Sequence, residues 1–145
     1  MDTVTAAAAP VAPPRRPRLS LTLLRGALTA HLLGVLAQPV LAGLFLSGDV
    51  DAIALHGATA GLIDLVAMSA VAIAAGYVIA GRGRLWVLPA TVVLLVADTA
   101  QIAAGHVRQL EWHVPLGVAI TVASVLMVLW VWSPRAARTR SGGRR

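Results

Sequence analysis

Four long apolar runs decide what this chain can become. The stretch from Gly26 to Gly48 carries no formal charge; Ala52 to Gly81 is broken only by Asp64, Leu85 to Val107 only by Asp98, and Trp112 to Ser133 by nothing. About 20 apolar residues suffice to cross a bilayer as a helix, and within hydrocarbon only a helix or a closed barrel satisfies its own backbone. No strand alternation accompanies these runs, so they predict an all-α, up-down-up-down four-helix transmembrane bundle. The expected helices run over about 20–47, 52–81, 85–107 and 111–133, inside a membrane domain of 20–134. The first run is too long for the roughly 7–15 residue core of a cleaved signal peptide, which makes it a span, with cleavage after Ala42 as the alternative.

Composition agrees and removes whole classes of function. Hydrophobic residues make up 58% of the 145 and charged ones 12%, outside the range of a soluble domain. Cysteine is absent, which excludes disulfides, thiolate metal sites and thiol redox chemistry. The formal charge of +6 would suit nucleic acid were the basic residues spread over one face, but all 12 are Arg at the ends of apolar runs. There they orient helices and pair with lipid headgroups, so nucleic acid is not expected as a partner and the bilayer is.

Arg15, Arg16, Arg18, Arg25, Arg82, Arg84, Arg135, Arg138, Arg140, Arg144 and Arg145 fall on one side of the membrane, and Arg108 alone on the other. The crowded side is expected to be cytoplasmic, with both termini there. The Ala- and Pro-rich segment 1–19 cannot bury a core and reads as a disordered cytoplasmic tail; 135–145 reads as a basic one. The Ala, Val, Leu, Gly and Arg bias accompanies GC-rich bacterial genomes, so the expected location is a bacterial plasma membrane. Trp86, Trp112, Trp130 and Trp132 lie near helix ends, where indoles anchor in the interface.

Ionisable groups inside such runs are costly and face the interior, which singles out His31, His56, Asp64, Asp98, His106 and His113. His56 and His113 open the second and fourth helices at similar depth near the outer surface. In this topology those helices are parallel and diagonal, about 11 to 14 Å apart. Two imidazoles and a porphyrin iron fit across that gap, so the pair is a candidate bis-histidine site for a b-type heme. Ala60 and Gly117, one turn deeper than each histidine, leave room for a macrocycle; taken alone they are ordinary small residues of helix packing. Thr121 and Ser124 follow on the fourth helix.

Gln38 and Gln101 lie on the inward stripes of the first and third helices, and each precedes a histidine of the returning helix, by 18 and 12 residues. Arg108 has two candidate partners, Glu111 and a heme propionate. His31, Asp64 and Asp98 lie near mid-membrane, with His31 expected to bond one of the two aspartates. The three are also candidates for a proton path or a quinone site. His106 reads as a polar interface residue.

The segments QPVLAGLFLSG leading to LHGATAG, and QIAAG leading to WHVPLGV, resemble the heme A synthase family, whose proteins join two four-helix halves. The chain is similar to one half, from about Leu32 to Val131, as are small membrane proteins of actinobacterial type. The resemblance implies a histidine pair from the second and fourth helices that holds heme near the outer face. It departs from the family in having no second half, no outer-loop cysteine pair, and no Glu ahead of His56, where the sequence reads AIALHG. The family's catalytic half uses such a Glu, so the half that holds heme b is the analogue and the chain need not be an enzyme by itself. The resulting expectation is electron transfer or heme handling, with a membrane redox partner or quinone and a homodimer left open. A heme-free small transporter using Asp64 or Asp98, or a structural subunit of a membrane complex, is the alternative.

Overall fold

The computed structural model describes residues 19–140, and among these the chain is all α. The expected N-terminal tail lies outside the described residues except for Leu19, as do residues 141–145. Four long helices, α1 (Leu19–Leu46), α2 (Ala52–Ile79), α3 (Val87–His106) and α4 (Leu110–Trp132), are followed by a single turn, α5 (Pro134–Ala137). Each of the four is long and apolar enough to cross a membrane. α1 packs on α2, α2 on α3, α3 on α4, and α4 closes the ring on α1. α2 and α4 therefore face each other across one diagonal, and α1 and α3 across the other.

The helices stop where the chain can no longer supply helical hydrogen bonds. α1 ends at Gly48, whose φ of +104° suits glycine, with Asp49 N–H closing on the Leu44 carbonyl. α2 ends in the Gly81–Arg82–Gly83 turn, where Arg82 takes a φ of +50° and Gly83 N–H donates to the Tyr77 carbonyl at 2.9 Å. A Cβ at Gly83 would overlap the Tyr77 ring, so glycine is required by close approach there. α3 starts at Val87 rather than at Leu85, because residues 84–86 form the turn that carries the chain over that ring.

The two ends of the bundle are packed differently. At the arginine-rich end Leu21, Leu24 and Leu28 of α1 interlock with Ala70, Ala74 and Tyr77 of α2, Val87 of α3, and Met127 and Val131 of α4. The Tyr77 hydroxyl donates to the Ala136 carbonyl at 2.9 Å, while Arg140 donates from its backbone N to the Arg82 carbonyl and from Nη2 to the Val78 carbonyl. The first part of the expected C-terminal tail, 135–140, is thus docked across this end. Arg25 Nε donates to the Val131 carbonyl, its guanidinium lies 4.9 Å from the Trp132 ring centre, and Trp86 meets Trp130 edge-on at 4.5 Å.

A middle layer of Val35, Ile63, Leu94 and Ile120 follows. Beyond it, toward the end where α2 and α4 begin, only Asp98, Ala104 and Ala52 are buried among the described residues.

Candidate functional site

His56 and His113 project from the first turns of α2 and α4 and meet across the diagonal. Their ring centres are 6.2 Å apart and their planes differ by 55°. Each ring is held by the preceding helix: His56 Nδ1 lies 3.2 Å from the Gln38 carbonyl oxygen, and His113 Nδ1 lies 2.9 Å from the Gln101 carbonyl oxygen. A carbonyl can only accept, so each Nδ1 carries the proton and donates it. In a neutral imidazole that leaves Nε2 as the acceptor nitrogen, and Nε2 of both rings has no hydrogen-bond partner among the described residues.

The surroundings are small and polar. Gly105 sits directly behind His113, where a Cβ would come within 2.9 Å of the ring's Cε1. Gly117 does the same for Gln101, where a Cβ would lie 2.8 Å from Nε2. Ala60 holds the equivalent place on α2 and is half-buried. The two glutamines differ in their side chains: Gln38 Nε2 donates to Thr59 Oγ1 at 2.7 Å, whereas Gln101 Oε1 is buried and has no partner. A buried amide oxygen without a partner costs free energy unless something else fills that role. Thr121, one turn along α4 from Gly117, donates its hydroxyl to the Gly117 carbonyl.

Arg108 lies on the α3–α4 turn at φ +58°, exposed, and forms no ion pair with Glu111; the sole side-chain ion pair among the described residues is His31–Asp98. His106 is exposed and donates from Nδ1 to the Ile102 carbonyl of its own helix.

The mid-membrane polar residues separate. His31 and Asp98 bridge the α1–α3 diagonal, Nε2 to Oδ2 at 2.8 Å, both buried. Ser124 Oγ lies 3.2 Å from His31 Nδ1 and donates its own hydrogen to the Ile120 carbonyl at 2.7 Å. Asp64 is elsewhere: half-buried on the α2–α3 seam, it accepts from the Thr99 hydroxyl at 2.9 Å.

Sequence reasoning did not find Thr59 or Thr99, nor that the Gln38 and Gln101 main chains, rather than their side chains, hold the histidines. The recurrence of a Gln ahead of a His in each hairpin was the available signal.

No group of three His, Cys, Asp or Glu suited to a metal ion occurs among the described residues. What this end offers a metal is two imidazoles whose ring centres lie 6.2 Å apart. A separate feature is an open apolar groove of about 460 Å³ on the α3–α4 seam, lined by Pro89, Leu94, Ala97, Leu116, Ala123 and Met127 among others. In a bilayer acyl chains would fill it.

No protein-family model matches this chain, and neither does any curated protein or solved structure.

Proposed function

We propose that this integral membrane protein binds one b-type heme at its histidine end, with His56 and His113 as the two axial ligands, and serves electron transfer or heme handling. The spacing of the rings carries the reading. A metal–imidazole bond of about 2.0–2.1 Å, with each ring centre about 1.1 Å behind its nitrogen, puts two axial ring centres about 6.2–6.4 Å apart. The rings of His56 and His113 are 6.2 Å apart.

Three further observations fit. Both Nδ1 atoms are occupied by backbone carbonyls, which leaves Nε2 free to ligate and makes it more basic. Ala60, Gly105 and Gly117 beside the two imidazoles are small residues, as a macrocycle held there would need. The exposed Arg108, on the turn before α4, would pair with a propionate. A bis-imidazole heme supplies one-electron redox chemistry. The residues do the rest: carbonyls orient the rings, and the apolar helices keep bulk water from the centre.

The arginine-rich end faces the cytoplasm of a bacterium in this reading, and the heme lies beneath the opposite leaflet. Electrons would be exchanged with a membrane redox partner or a quinone.

The purified protein from heme-replete cells should show the Soret band of a low-spin heme. His56→Ala and His113→Ala should each abolish that low-spin spectrum, while His106→Ala should leave it intact. A colourless protein from such cells refutes the proposal, leaving the alternative of a heme-free transporter or structural subunit.

A further inference from the structure

The open groove between α3 and α4 plays no part in the function proposed above, and it is the length of one lipid tail. Among its lining residues Leu94, Ile120 and Met127 are buried, whereas Val93 and Ala119 are exposed, so it opens sideways onto lipid. From Pro89 to Ala97 on α3, and from Met127 back to Leu116 on α4, it follows about 12 to 16 Å of helix rise. One leaflet of hydrocarbon is about 15 Å thick.

At the arginine-rich end the groove stops at an aromatic pair. Trp86 lies one turn before Pro89 and Trp130 one turn beyond Met127, and their rings meet edge-on at 4.5 Å. Trp86 is exposed, and its indole N–H has no hydrogen-bond partner among the described residues. Beyond the pair, the Tyr77 hydroxyl gathers two chain segments: it donates to the Ala136 carbonyl at 2.9 Å and accepts from the Arg84 backbone N–H at 3.4 Å. Arg84, ahead of α3, and Arg135, after α4, are thereby brought to one corner. Both side chains are exposed, and neither guanidinium has an ion pair or hydrogen bond among the described residues. The acidic residues of the described chain, Asp49, Asp51, Asp64, Asp98 and Glu111, lie within the spans or at the opposite end.

We propose that the α3–α4 seam is a binding site for one anionic phospholipid of the leaflet at the arginine-rich end, with a tail in the groove and the headgroup phosphate held by Arg84 and Arg135. The inference does not depend on heme. The tail by itself does not select, because a bilayer supplies equivalent chains on every side. Charge does: the guanidinium fork matches phosphate oxygens, and each arginine near an anionic surface is worth about fivefold in affinity. A zwitterionic lipid brings its own cation to the same corner, and a net anionic one does not. Trp86, at the depth of the glycerol backbone, has its N–H free for an ester carbonyl. The same charges disfavour a second copy of the chain as the occupant. A side-by-side parallel pair through this seam would set Arg84 and Arg135 against their own counterparts, with no acidic residue between them.

Native mass spectrometry of the delipidated full-length protein in mild detergent, titrated with phosphatidylglycerol or phosphatidylcholine of identical tails, tests this. The wild type should bind one phosphatidylglycerol in preference to phosphatidylcholine, by about tenfold or more. Arg84→Gln with Arg135→Gln should remove that preference, whereas Arg144→Gln with Arg145→Gln, which deletes the same charge, should retain it. Ala119→Phe adds a ring at the exposed side of the groove and should weaken binding of both lipids; Ala97→Leu serves if that variant does not assemble. The rise in melting point on adding phosphatidylglycerol should exceed that for phosphatidylcholine and follow the same pattern across the variants. Equal binding of the two lipids by the wild type, or equal loss of preference in both arginine pairs, overturns the inference. So does a dimer that survives delipidation and falls apart in Ala119→Phe, which would assign the groove to a second copy.

Discussion

Two main-chain oxygens choose which nitrogen of each histidine is tied to a neighbouring helix and which is left without a partner. The Gln38 and Gln101 carbonyls take the Nδ1 protons, and a carbonyl survives any side-chain substitution. Gln101→Ala should therefore leave His113 oriented and the low-spin spectrum present. Gly105→Val should not, because its first added carbon would come within 2.9 Å of His113 Cε1. Overpacking of this kind costs about 1–3 kcal/mol, or roughly 5- to 150-fold in heme affinity, measurable by titrating heme into the apoprotein. Equal affinity in Gly105→Val would show that the glycine does not shape the site. The orienting carbonyls were not legible beforehand, because main-chain acceptors leave no mark in the choice of side chain. What was legible was that His56 and His113 begin returning helices at matching depth.

At the scale of the helices, contacts rather than stripes determine which face turns inward. All four are apolar nearly all round, so hydrophobic periodicity could not say which of Asp64 and Asp98, each alone in an apolar run, meets His31. The structure assigns that role to Asp98 and leaves Asp64 to Thr99. The α1–α2 seam is close at Gly34, where a Cβ would come within 2.7 Å of Ile63 Cγ1. Gly34→Ala should destabilise the bundle by about 1–3 kcal/mol. Adding Ile63→Ala should cost less than the two single changes summed, as read from melts of all three variants in detergent. Strict additivity would mean that the two positions do not touch. The C-terminal turn makes a comparable case: Tyr77→Phe strands the buried Ala136 carbonyl at a cost of about 1–3 kcal/mol. Trypsin should then cut faster after Arg138 and Arg140. Unchanged cleavage would mean that this bond does not hold the segment down.

For the whole molecule, the number and order of spans could be read from the sequence because hydrocarbon leaves a chain this apolar so few options. Sidedness rests on the distribution of arginines and is open to direct measurement. The chain contains no cysteine, so any introduced thiol reports without background. Asp49→Cys and Gln109→Cys should react with a membrane-impermeant maleimide on intact cells whose outer barrier has been removed. Arg84→Cys and Arg138→Cys should react only after permeabilisation; the opposite pattern would invert the assigned orientation.

The contrast between a filled core at one end and small half-buried residues at the other implies a gradient of rigidity along the membrane normal. Amide exchange in the empty protein should be slow around Leu24 and Tyr77 and fast from Thr59 outward and along the first turns of α4. A ligand seated between the imidazoles would stiffen the part that has most freedom to lose. Loading should therefore raise the melting point and protect those outlying amides together, while those around the tyrosine stay nearly unchanged.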